Sequence, residues 1–302
     1  MGPVTDGHKI EYGRNVQLAV QQKKSRFEQG FTYHADWRGR EMIFVELVGS
    51  TTAIIDGNRG GDTPNIDANI EPVGVVPHQI EWGKLIEKED AIKALTDYQS
   101  PFVQNGAAAI VRGRDSVFAS AIFGNRLIGQ DGATSTAWDS TNRVVVNTVG
   151  SSDGVTAKGM NLRKIQRAKR LLRAQYIDLD MEELWGCLNA QGHEELYNDL
   201  LTINTDTAKM AYVDNDRKLV HEVAGVKFAS YEGMADYDGS NFTGAIWCKS
   251  GMHYGDFSPL ETRAEPNPAK KYRLHPYMEN WWGAQRSEDA KVIKLQLSKT
   301  GG

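Results

Sequence analysis

Cysteine is nearly missing: Cys187 and Cys248 are the two present in 302 residues. Two are too few for a disulfide framework, and a chain of this length can bury enough surface to need none. Both lie in apolar stretches, LWGCLNA and GAIWCKS, and read as buried free thiols of a reducing compartment. No apolar run approaches the roughly 20 residues of a membrane-spanning helix, so a membrane role is not expected. The start, MGPVTDGHKIEYGRN, lacks the basic-then-apolar order of a secretory signal. The expectation is therefore a protein assembled in a cytoplasm. No excess of one charge is present either: 35 basic and 39 acidic residues give a formal charge of -4. That excludes a strongly basic nucleic-acid binder while leaving room for local patches.

Catalytic and metal-binding signatures are also absent. HEELY, residues 193–197, lacks the second histidine of a zinc-protease helix and reads as a surface helix. The seven histidines are scattered without ligand spacing. DYDGSNFTG has acids like those of a calcium loop but misplaces its glycine and lacks a closing glutamate, so it reads as a turn. DGNRGGD has no Gly-Lys-Ser/Thr to complete a phosphate loop. No serine sits in a G-x-S-x-G elbow. Neither a cofactor nor a catalytic residue nor a metal ligand is assigned. An enzyme of unknown class would need a convergent polar pocket that these residues do not display.

What is present is an ordered set of elements. NVQLAVQQKKSRFEQ reads as a modest amphipathic helix with Val16, Ala19, Val20 and Phe27 to one side. EMIFVELVGSTTAII carries strand-forming residues, and VGVVPHQIEW reads as a returning strand with Pro77 at an exposed edge. Between them, DGNRGGDTPNIDANIEP reads as a large flexible tip, which makes 40–82 a long hairpin. KLIEKEDAIKAL is a short helix. Ser100 as N-cap and Pro101 at the first helical position then open a helix of about 24 residues, about 36 Å long. Val103, Ala107, Ile110, Val111, Val117, Phe118, Ala121 and Ile122 form its apolar stripe, with Arg112, Arg114 and Asp115 elsewhere. Gly106 and Gly113, seven apart, suit close packing or a gentle bend.

Further on, RVVVNTV is a short strand candidate, and NLRKIQRAKRLLRAQY is amphipathic, with Leu162, Ile165, Ala168 and Leu172 on the apolar face. The same helix carries Arg163, Lys164, Arg167, Lys169, Arg170 and Arg173 and no acid. It is a solvated or partner-contacting face, and its cations suit non-specific phosphate contact. ELWGCLNA reads as a buried strand, HEELYNDLL as a helix, GVKFASYEG and GAIWCKSGM as strands, and the C-terminal stretch as strand-rich. The class is α+β.

This order resembles the tailed-bacteriophage major capsid proteins of the Hong Kong 97 fold, over about residues 14–298. QLAVQQKKSRFEQG is similar to that family's N-terminal arm, NRGGDTPNID to the tip of its extended loop, and the segment IEKEDAIKAL through AIFGN to its spine helix with its lead-in. MNLRKIQRAKRLLRAQ with LWGCLNAQGHEELYNDLL matches the helix–strand–helix of its axial domain, and WWGAQRSEDAKVIKLQL its closing strand. The resemblance implies an N-terminal arm at 1–35, an extended β-hairpin loop at 36–86, a peripheral domain with the spine helix at 87–127 and 268–302, and an axial domain at 128–267.

It also implies a self-assembling, non-enzymatic virion subunit, built into pentamers and hexamers of an icosahedral shell around double-stranded DNA. The partners implied are a separate scaffolding protein, a portal, a decoration protein as an open option, and packaged DNA without sequence reading. An encapsulin-like nanocompartment is the alternative with the same fold. On the loop, Phe44, Val48, Arg59, Asp62, Asp67 and Glu71 are the expected contacts to a neighbouring subunit. Arg163, Arg167 and Arg170 form the candidate basic contact face. The tip contains no lysine, so the covalent cross-link of some family members is not carried over.

Overall fold

The computed structural model describes residues 22, 24–55, 65–85, 99–149, 152–202, 211–214, 219–234 and 239–300. Described residues fall into two compact units, one drawn from Met1–Ser25, Gln79–Arg114 and Ser258–Trp281, the other from Arg26–His78, Asp115–Phe257 and Trp282–Gly302. The strands are β1 (Thr32–His34), β2 (Ile43–Val48), β3 (Ile70–Val75), β4 (His78–Gly83), β5 (Arg126–Ile128), β6 (Thr134–Thr136), β7 (Arg143–Val144), β8 (Leu184–Leu188), β9 (Ala211–Asp214), β10 (Leu219–Val223), β11 (Val226–Ser230), β12 (Asn241–Cys248), β13 (Met252–Asp256), β14 (Glu261–Asn267), β15 (Arg273–Arg286) and β16 (Val292–Ser298). Among the described residues the α-helices are α1 (Gln99–Phe123), α2 (Leu162–Ala174) and α3 (Ala190–Thr202).

In the larger unit a mixed sheet runs in the order β7-β16-β12-β8-β11-β10-β9 among the described residues. β8, read as LWGCL, is buried along its whole length, as a strand covered on both faces must be. Helix α2 begins where the Asn161 side chain accepts the Lys164 N–H, which satisfies one of the unpaired amides of the first turn. Its Leu162, Ile165, Ala168 and Leu172 are buried with Leu196 and Leu200 of α3 and with Ile246, Ile293, Leu295 and Leu297 of the sheet. The predicted stripe therefore forms this core. Cys187 and Cys248 are buried free thiols, and burial raises the pKa of both.

The loop strands do pair: Ile43 opposes Val75 and Val48 opposes Ile70 in an antiparallel ladder. Two features differ from the continuous hairpin expected over 40–82. The ladder continues into β5 and β6, so the hairpin root is part of a four-stranded sheet. The returning strand also breaks near Pro77: β3 ends at Val75, and β4 pairs with β15 instead. Proline removes a ladder donor and fixes φ, so a change of partner at that point is cheap.

In the smaller unit the first part of α1 packs on β4. A Cβ on Gly106 would lie 2.5 Å from the Trp82 ring, and one on Gly113 would lie 2.6 Å from Ile80. The two glycines therefore serve close approach. Arg114 Nε and Nη2 donate to Asn280 Oδ1 at 3.0 and 2.8 Å, and Asn280 Nδ2 donates to the Ser258 carbonyl at 2.8 Å.

Other sequence expectations need correction. Ala107 is exposed, and Asp115, placed off the apolar stripe, is fully buried. Its Oδ2 accepts the Arg26 N–H at 3.0 Å, a long-range bond that helical periodicity cannot show. His193 lies on α3 as predicted but faces inward, buried and edge-on to Phe228. Strand β7 covers only the start of RVVVNTV. The helix read over 15–29 does not extend through its described end, where Glu28–Gly30 form a single 3-10 turn. Val16, Ala19, Val20 and most of the KLIEKEDAIKAL helix lie outside the described residues. Phe27 and Phe31 are buried in an aromatic core: both rings contact Phe118 and Trp247.

Candidate assembly surfaces

No described group of three or more His, Cys, Asp or Glu residues could hold a metal ion, and no described helix is long and apolar enough to cross a membrane. Three features stand out among the described residues: the loop, the basic helix, and the joint of loop root, helix end and closing strand.

At the loop root Ile43 is buried with Trp37, Val75 and Phe257, and Val45 packs against them. The opposite face is only partly free. Phe44 is half-buried, its ring 3.3 Å from where a Cβ on Gly74 would stand, with Met42 sulfur beside it. Further out the cover ends. Val48 is 68% exposed, Ile54 60%, Ile55 86%, Ile66 43% and Ile70 59%. Gly49 N–H donates to the Asn69 carbonyl at 2.7 Å and closes the ladder there. Asp67 is exposed and accepts from Asn65 at 3.3 Å. Arg59 and Asp62 lie outside the described residues. Glu71 sits on β3, 4.0 Å from Arg126 of its own chain.

The basic helix divides its cations. Arg163 and Arg170 are exposed and Arg167 half-buried, so the residues at i, i+4 and i+7 share one side. Arg163 Nη1 donates to the Val149 carbonyl at 2.7 Å. Lys164, counted with that face in the sequence, belongs to the core. Its ammonium is buried and donates to the carbonyls of Val146, Lys158 and Gln296 at 3.0, 2.7 and 2.8 Å. Burial pushes its pKa down to about 7, with Glu195 opposing, and the three carbonyl acceptors also favour the charged form. Lys169 Nζ is likewise committed, to the Ala224 carbonyl at 2.8 Å.

Sequence reasoning missed the joint at the end of α1. Arg286 is fully buried and donates to the carbonyls of Ala121, Ile122 and Gly124 at 3.2, 2.7 and 3.0 Å, and to Asp289 at 2.6 Å. These are carbonyls that a helix C-terminus leaves unpaired. Arg126 shares Asp289 at 3.4 Å and donates to the Ser287 carbonyl at 2.6 Å. The loop root, the helix end and the closing strand thus meet at two guanidinium groups. No local motif announces this, because the arginines are 160 residues apart in the chain.

A family model described as phage capsid protein matches residues 4–299. Solved structures share the fold at low identity. The cyanophage Pam1 capsid is 13% identical with a TM-score of 0.71, over 100% of this chain and 99% of that one. The capsid of Ralstonia phage GP4 is 11% identical with a TM-score of 0.69, over 99% and 98%. The capsid of a native GTA particle, computed with C5 symmetry, is 12% identical with a TM-score of 0.64, over 99% and 95%. A search of curated proteins finds no match to the sequence.

Proposed function

The chain belongs to the phage capsid protein family, and we propose that it forms the pentamers and hexamers of an icosahedral head enclosing double-stranded DNA. As a capsid protein it is a structural component of the virion, not an enzyme. In this reading α1 is the spine helix, and the unit holding α2 and α3 contains the axial domain of about 128–267 as far as Phe257. The hairpin within 36–86 is the extended loop laid on a neighbouring subunit. Scaffolding and portal proteins act as separate partners, and Arg163, Arg167 and Arg170 meet phosphate or a partner without reading sequence.

The observation that carries the assembly reading is the run of uncovered apolar residues on the loop, Val48, Ile54, Ile55, Ile66 and Ile70. Hairpin strands leave water only by lying on another surface, and specific interfaces commonly bury roughly 1,200–2,000 Å². Asp67 lies on the same arm, with Arg59 and Asp62 in the adjoining sequence. Exposed charges contribute only about 0–1 kcal/mol each, so the strands supply affinity and the charges set register.

The test replaces residues 50–68 with Asn-Gly, which closes the hairpin at Gly49 and Asn69 and leaves β3 whole. The shortened chain should keep its circular dichroism and fail to form closed shells by electron microscopy. Normal shells of normal stability from that variant would remove the loop as fastener. Nucleic acid inside shells of the unaltered protein supports the virion reading; an enclosed protein cargo would favour the nanocompartment.

A further inference from the structure

β1 is three residues long and lies parallel to β13, with Thr32 opposite His253 and His34 opposite Gly255. Backbone pairing this short contributes little, so side chains decide whether the strand stays. Here two histidines 219 positions apart meet: His34 Nε2 lies 2.9 Å from His253 Nδ1. The far nitrogen of His253 lies 3.2 Å from Ser287 Oγ, and Ser287 Oγ lies 3.2 Å from the Gly251 carbonyl oxygen.

When the Ser287 hydroxyl donates to the Gly251 carbonyl, which also accepts the Ser287 N–H at 2.9 Å, its oxygen accepts from His253 Nε2–H. Neutral His253 therefore offers the Nδ1 lone pair to His34, and His34 donates through Nε2–H. With one added proton the two rings can still share a single N–H···N bond. A second must enter at His253 Nδ1. It would set two N–H groups head-on and place two positive rings in contact.

The surroundings do not relieve that repulsion. Lys291 acts on His253 with the same sign, and its own partners are Glu288 at 3.4 Å and Glu182 at 3.8 Å. Arg286, next to Ser287 on the strand opposite β13, is matched by Asp289. Lys249 meets β1 through its carbonyl, which accepts from Thr32, while its ammonium faces Glu183. Of the acids, Asp36 is exposed on the turn after β1, and Asp256 is engaged by the Tyr33 hydroxyl at 3.4 Å. Burial and the neighbouring His34 and Lys291 hold His253 well below the usual imidazole range, at about 4.

What β1 holds is the loop root. The His34 ring stacks flat on Trp37 at 5.0 Å, and Trp37 packs with Ile43 and Val75, the paired end residues of β2 and β3. Upstream, Phe27 and Phe31 are plugged into the aromatic core. We propose that the His34–His253 pair is an acid-sensitive latch, which keeps β1 and the Trp37 seat on β13 while at most one ring is protonated and releases them when both are.

The inference concerns the subunit alone and stands or falls apart from shell formation. Its test is hydrogen–deuterium exchange with mass spectrometry on the full chain, from about pH 7 to about pH 3, with labelling times scaled for intrinsic exchange. Peptides of 32–37 should lose protection in a step near pH 4 while those of β12 and β16 keep theirs. His34→Gln can donate to neutral His253 or, with its amide turned over, accept from the protonated ring. It should match the unaltered chain at neutral pH and move the step down by about one pH unit or abolish it. His253→Asn, whose side-chain oxygen accepts at the Nδ1 position, should also abolish the step, and it serves if the first variant does not fold. Retained β1 protection to the lowest pH, loss together with β16, or an unshifted step in a folded variant would overturn the latch.

Discussion

Replacing Arg286 with methionine tests whether the end of the spine helix is held by one buried guanidinium. The apolar stem is kept, and four donor contacts are lost: Ala121, Ile122 and Gly124 carbonyls and the Asp289 carboxylate. Hydrogen bonds to a charged group contribute about 1.5–3 kcal/mol each, so the gross loss is roughly 6–12 kcal/mol. Removing the arginine also removes the cost of burying its charge, which opposes that loss. Asp289 is not stranded, because Arg126 remains 3.4 Å away. The carbonyls of the last helical turn are stranded, since water does not reach them easily beside a side chain of 0% exposure. The net expectation is the roughly 3–5 kcal/mol typical of breaking a buried charged network. In a chain of this size that lowers the melting temperature by roughly 5–8 °C. Thermal unfolding of the unassembled protein, followed by circular dichroism, is the assay. Arg286→Lys keeps the charge but not the planar fork and should recover less than half of the loss. A melting temperature within about 1 °C of the unaltered chain for Arg286→Met would refute the reasoning, because no network of this value could vanish without trace.

Gly106→Ala should destabilise, although alanine in an exposed helix normally gains about 1 kcal/mol. The new Cβ would stand 2.5 Å from the Trp82 ring, and overpacking costs about 1–3 kcal/mol, so a raised denaturation midpoint would contradict the close approach. For His193, burial holds the folded-state pKa at about 4 against an ordinary 6.5. The unfolded chain then binds the extra proton first, so stability is full above about pH 6.5 and declines through the window down to about pH 4, by about 3 kcal/mol in all. Denaturant titrations at several pH values should show His193→Phe removing that part of the acid dependence, and an unchanged slope would show that the ring is not buried neutral.

Local sequence determined the elements whose signals are local. The spacing of Leu162, Ile165, Ala168 and Leu172 specified a helix and its inner face, and all four are buried as that spacing requires. Ser-Pro marked the start of the long helix to within two residues, although α1 already includes Gln99 and Ser100, so Ser100 is not its cap; Gly106 and Gly113 marked its close face, and the order of elements sufficed to identify the family. Polar residues escaped the same reading because a polar side chain's role depends on what it meets. Lys164 looks like its neighbours Arg163 and Arg167 until three carbonyls from distant turns and strands surround its ammonium. Asp115 looks solvent-facing until the Arg26 amide reaches it, and the break near Pro77 is visible only as a change of partner from β2 to β15. Periodicity reports which side of an element is apolar. It cannot report a bond whose partner is 100 or 200 residues away, because that geometry exists only after the chain has closed on itself.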